Sequence, residues 1–133
     1  MKRFHRDKRA SELTEAALTL PIVLLVLMAI IQFGIVVYGS QMAKEAARHG
    51  ARMGSVVQGG GAAAVAASAA YQFAQSALPI GHPQVQILAP GGVVGTELRV
   101  RVTYQVPNLV GFPGLPRGPY RVFGEATARQ EGW

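Results

Sequence analysis

Glu12 and Glu15 stand three residues apart, one helical turn if the segment is helical, just before a run of 28 uncharged residues that ends at Lys44. A carboxylate at the edge of so apolar a segment is costly unless it stays at an interface, gains a cation, or faces the positive end of a helix. Pairing chemistry is therefore the work open to it. His5, His49 and His82 are far apart and have no carboxylates at metal-ligand spacing, and the one Asp, Asp7, lies in the basic N-terminal stretch. There is no Cys, which excludes disulfides, thiolate catalysis and Cys-ligated zinc. No Ser, His and Asp set points to a nucleophilic triad. The GGVVG at residues 91–95 has neither a following helix nor a βαβ unit, so it does not read as a phosphate cradle. The chain reads as a structural protein, not an enzyme, with no cofactor and no metal.

The element that positions these carboxylates is the uncharged run. Leu, Ile and Val dominate it, and before Tyr38 only Thr19 and Gln32 carry polar side-chain atoms. As a helix, residues 16–38 extend about 34 Å, against a hydrocarbon core of roughly 30 Å. The expectation is a transmembrane span over about 16–39, within an N-terminal helix over 11–57. A secretory signal peptide fits less well, because the apolar stretch exceeds the usual core of about 7–15 residues and Gly39 and Ser40 make a weak cleavage site.

Five basic residues, Lys2, Arg3, Arg6, Lys8 and Arg9, crowd the tail at 1–10, whereas Lys44, Arg48 and Arg52 follow the span. This bias puts the N-terminus in the cytoplasm and the C-terminal domain outside it. The formal charge of +6 and pI near 10.3 could suggest nucleic acid as a partner. No long basic stripe interleaved with aromatics supports that, and the densest cluster abuts the span, so the partner is the lipid bilayer and not nucleic acid.

Pro21 lies too deep for a first-turn proline in a helix beginning near Ser11, and predicts a break near Ala17 that Thr19 could satisfy. After the span, Ala43, Ala46, Ala47, Gly50, Ala51 and Gly54 form a small-residue face at three- and four-residue spacing, suited to helix packing. Gly59, Gly60 and Gly61 break the helix and offer a hinge. Residues 62–78, rich in Ala and free of charge and proline, read as a second helix ended by Pro79. From Gln84 the period becomes two: Val85, Ile87 and Ala89 share one face, and Leu98, Val100, Val102, Tyr104 and Val106 alternate with Arg99, Arg101, Thr103 and Gln105. These two strands form a hairpin with one wet, basic face. A Pro/Gly loop over 108–119 carries Leu109, Val110, Phe112 and Leu115, which either fold it under its own side chains or make it a contact for a neighbour or the membrane surface, and a last strand over 120–130 completes a three-stranded antiparallel sheet. The fold class is an α+β membrane protein: a long transmembrane helix continuing into an amphipathic one, a second short helix, and a small β domain over 84–133.

The segment RASELTEAALTLPIVLLVLMAIIQFGIVVYGSQMAKEAARHGARMG resembles the N-terminal signature of the TadE-like family, the pseudopilin-like proteins of the tight adherence (Flp) pilus systems. The resemblance rests on Ala10 at the small position, Glu15 at the acidic one, Pro21, the Gln32, Phe33 and Gly34 triplet, and the small-residue helix beyond. The ending GEATARQE also resembles the family's last strand. The family implies a pilin-like architecture and prepilin-type cleavage between Ala10 and Ser11, with Ala10 standing where the pattern prefers Gly. It implies that Glu15 pairs with the new N-terminal amine of a neighbouring subunit, with Pro21, Gln32, Phe33 and Gly34 in the assembly contact. Sibling pseudopilins and a prepilin peptidase are the implied partners, and the inner membrane or a surface pilus the implied place. Two other readings stay open: an accessory single-span subunit of another membrane complex, and a module whose basic sheet face binds an acidic surface polymer.

Overall fold

The computed structural model describes residues 4–78, 81–109, 111 and 117–131, with side chains from Ala10 onward. Helix α1 runs over Phe4–Ser55, helix α2 over Ala62–Ala77, and strands β1, β2 and β3 over Gln84–Pro90, Glu97–Val106 and Tyr120–Arg129. The strands form one antiparallel sheet in the order β1-β2-β3. The chain divides into two compact units, Met1–Gly34 and Ile35–Trp133.

The first unit is helical throughout its described part. Because α1 is already helical at Phe4, Ser11 lies inside the helix and is not its N-cap. Pro21 is accommodated within α1. The Thr19 hydroxyl donates to the Glu15 carbonyl at 2.9 Å and approaches that of Ala16 at 3.4 Å, not that of Ala17, so it follows the ordinary i−4 and i−3 side-chain pattern.

The second unit is built on close approach. Leu98, Val100, Val102, Tyr104 and Val106 fill the inner face of β2 and are fully buried, as the strict alternation requires. Against them pack Ala43, Ala46, Ala47 and Ala51 of α1 and Ala66, Ala70 and Ala74 of α2, all buried. Alanines every fourth residue keep one face of α2 thin, and glycines on α1 meet it. A methyl group on Gly50 would lie 2.6 Å from both the Ala66 carbonyl oxygen and the Ala70 Cβ; one on Gly54 would lie 2.5 Å from Leu98. Only glycine fits at such spacings, and dispersion attraction between closely apposed backbones takes the place of that between larger side chains. The one polar side-chain group in this sheet face, the Tyr104 hydroxyl, donates to the Ala74 carbonyl at 2.7 Å, so its burial leaves no orphan.

Gln130 closes the end of the unit. Its side-chain amide donates to the Val57 carbonyl and, at 3.5 Å, to that of Gly54, while its side-chain oxygen accepts from the Gly92 amide at 3.3 Å. Its backbone bonds Thr96 and Gly95, and Glu131 N–H reaches the Ser55 carbonyl. One residue thus ties the end of α1, the β1–β2 turn and the end of β3. Gly91, Gly92 and Gly95 have positive φ in that turn, and a methyl on Gly92 would lie 2.7 Å from the Gly59 carbonyl oxygen.

The structure adds detail to three local expectations and revises the first. The glycines at 59–61 form a 3₁₀ turn that is tied down through Gly59 N–H to Gly92 O at 2.9 Å, and so are not a free hinge. Strand β1 has a register shift between Ile87 and Ala89, a bulge that leaves Leu88 exposed and unopposed. Of the apolar loop residues, Leu109 is exposed; Val110, Phe112 and Leu115 lie outside the described residues, as does Pro79 beyond α2.

Candidate functional site

In the first unit, Ala10, Ser11, Glu12 and Glu15 are all exposed. The Thr14 hydroxyl donates to the Ala10 carbonyl at 2.8 Å, so the peptide bond expected to be cut is presented on a helix whose local bonding is complete. Glu15 makes no ion pair among the described residues, and its carbonyl accepts from Thr19. Beyond it the large apolar side chains are bare on every side of the helix, from Leu18 at 68% exposed to Phe33 at 71%. Only 6% of the most apolar 18-residue stretch is buried. The core helix of a water-soluble protein would hide one face of such a sequence, and this one hides none. By length and composition the helix can cross a membrane.

Gln32 is the exception. It is 8% exposed while its neighbours Phe33 and Gly34 are open. A methyl group on Gly34 would meet nothing within 4 Å, so the missing side chain there serves no contact inside the chain. Glu15, Pro21, Phe33 and Gly34 therefore share one property: each is laid out on an exposed surface, free of packing that would explain its residue type.

In the second unit Ala43, Ala47, Gly50 and Gly54 are buried on a common face against α2 and the sheet. Their smallness is accounted for by the fold of one chain. On the other side of α1, Lys44, Arg48 and Arg52 are exposed, with Arg48 donating to Glu45 at 3.0 Å. His49 stacks on Phe73 with ring centroids 5.3 Å apart.

The outer face of the sheet is less basic than its sequence suggests. Arg99 pairs with Glu97 at 3.2 Å, and Arg101 pairs with Glu125 and lies 5.5 Å over the Phe123 ring. Register explains this: Arg101 is directly opposite Glu125, and Glu97 opposite Arg129. Two of the four arginines on this face are compensated in this way, and Arg121 and Arg129 have no ion-pair partner among the described residues. Burial, with the neighbouring Tyr38 phenol as a second cause, pushes the Tyr104 phenol up to about 12.

Three contributors escaped sequence reasoning. Gly124 stands on the inner face of β3 against the backbone of Ala43 and Lys44, and its only signal was a glycine interrupting a strand pattern. Gln130 gave no signal, since a glutamine after a strand is ordinary until its amide is seen buried. The Tyr104 bond to Ala74 joins elements 30 residues apart.

Among the described residues no group of three or more His, Cys, Asp or Glu side chains could hold a metal ion. A family model described as "TadE-like protein" matches residues 11–52. That stretch contains Glu15, Pro21 and the Gln32, Phe33 and Gly34 triplet, and ends in the buried small-residue face. No curated protein and no solved structure matches the chain.

Proposed function

From the TadE-like match over residues 11–52, we propose that this chain is a single-pass subunit of a tight adherence (Flp-type) pilus or a related secretion apparatus, acting as a minor pilin or pseudopilin. The observation that carries the reading is the helix exposed on every side within the matched segment, a surface that needs lipid or other helices around it. The span lies in the inner membrane, with the basic tail cytoplasmic and the second unit outside. The tail is removed between Ala10 and Ser11 by a prepilin peptidase, and the chain itself carries out no catalysis.

Assembly depends on Glu15. A carboxylate at the border of hydrocarbon is stabilised by an ammonium partner, and the amine released by cleavage of a sibling subunit supplies one. Phe33 and Gly34, open on the helix surface, let a sibling helix approach closely. Glu15→Gln tests the reading: membrane insertion persists, because the apolar segment is untouched, while piliation is lost. Normal piliation with this variant would rule the pairing out.

A further inference from the structure

β3 is an edge strand. Among the described residues, the backbone of 121–129 is bonded only to β2, so the N–H and C=O groups on its far side are unpaired. Such an edge is a template for another strand unless it is covered or blunted. Here a groove of about 460 Å³ runs beside it, bounded on one side by Arg48, Arg52 and Ser55 of α1 and on the other by strand residues 126–129. Ala126 and Ala128 are small and half-buried, which keeps the groove open, while the Arg129 guanidinium lies toward Gly95 of the β1–β2 turn. Arg48 is engaged with Glu45, whereas Arg52 and Arg129 have no ion-pair partner among the described residues; the acidic lining residue is Glu131.

We infer that this groove receives an extended acidic segment of a partner protein, added to β3 as a fourth strand with its carboxylates on the α1 side, toward Arg52. Main-chain bonds along β3 supply the affinity and the guanidinium group selects the sign of the side chains. The occupant is not a second copy of this chain, because each copy has more basic than acidic residues, 13 against 7 in full and 8 against 6 without residues 1–10, and would bring basic surface to a basic groove. The inference does not depend on the pilus reading, since it rests on the second unit alone.

The test uses the full chain in detergent micelles and a fluorescein-labelled octapeptide of alternating Thr and Glu, followed by polarisation. Saturable binding is expected, weakened about tenfold by Arg52→Glu and changed less than about twofold by Arg99→Glu, which reverses a charge outside the groove. N-methylation of alternate peptide nitrogens, which leaves every charge in place, abolishes binding, and hydrogen exchange at residues 126–129 slows with the unmodified peptide only. Absence of saturable binding, equal binding of the N-methylated peptide, or equal weakening by Arg99→Glu would each overturn the inference. The comparison of the two peptides on the unaltered chain decides the matter even where Arg52→Glu fails to fold.

Discussion

Gly124 of β3 lies against the backbone of Ala43 on α1: a methyl group placed on it would come within 2.5 Å of the Ala43 carbonyl carbon. No flexible side-chain end is available there to give way, so helix or strand must shift. Gly124→Ala should therefore lower the unfolding free energy by about 1–3 kcal/mol, as over-packing does. Thermal unfolding of the full chain in detergent, followed by circular dichroism, measures it. A change under about 0.5 kcal/mol, the range of ordinary surface substitutions, would contradict the close approach.

Gly34→Ala makes the opposite case. Nothing lies within 4 Å of the added methyl, and alanine favours a helix interior over glycine by about 0.5–1 kcal/mol. The variant should be at least as stable as the parent. If Gly34 serves a sibling helix, the larger Gly34→Leu retains the fold and reduces piliation; full piliation with a leucine there removes Gly34 from the assembly contact.

At Gln130, loss of the amide strands the Gly92 N–H and the Val57 carbonyl, while the Gly54 carbonyl keeps the Val57 N–H. Gln130→Leu should cost about 1–3 kcal/mol and speed hydrogen exchange at Gly92. Gln130→Glu is more informative, since an ionised carboxylate would face two carbonyl oxygens with no donor to offer them. Its destabilisation should shrink on acidification from pH 7 to pH 4, where protonation restores a donor; a pH-independent loss would show that the amide's donated bonds do not matter.

Tyr104 predicts an alkaline limit. The folded chain holds its phenolic proton up to about 12, above the ordinary 10.0, so the unfolded chain ionises first. The stabilisation is complete below pH 10 and declines as pH rises toward 12. Tyr104→Phe, which removes the hydroxyl's bond but leaves the Ala74 carbonyl its Leu78 N–H, should lower stability at pH 7 by about 0.5–1.5 kcal/mol and flatten the decline between pH 10 and 12. Parallel stability curves for the two proteins across that range would contradict the assignment.

Periodicity made the elements readable, because each is amphipathic in its own way. The alternation from Leu98 to Val106 could belong only to a strand with one buried face, and the charge-free run after Glu15 only to a long apolar helix. What periodicity does not carry is long-range pairing. Arg101 looked like part of a basic face because nothing in its neighbourhood names Glu125, 24 residues on, as its cross-strand partner. The start of α1 at Phe4 was missed because the basic stretch before Ser11 has no apolar periodicity to mark it as helical. For the candidate site, the residue types were legible at Glu15, Pro21 and the Gln32, Phe33 and Gly34 triplet. The exposure shared by Glu15, Pro21, Phe33 and Gly34, and the burial of Gln32 among them, was not, since exposure depends on what the rest of the chain leaves uncovered.

In the proposed function, α1 is processed between Ala10 and Ser11, which leaves Glu15 one turn from the new amine. The intact mass of the protein extracted from the membranes of its own host, with fragmentation of the N-terminal peptide, tests this directly. The account predicts a chain that starts at Ser11; a mature chain that retains Met1 through Ala10 would contradict it.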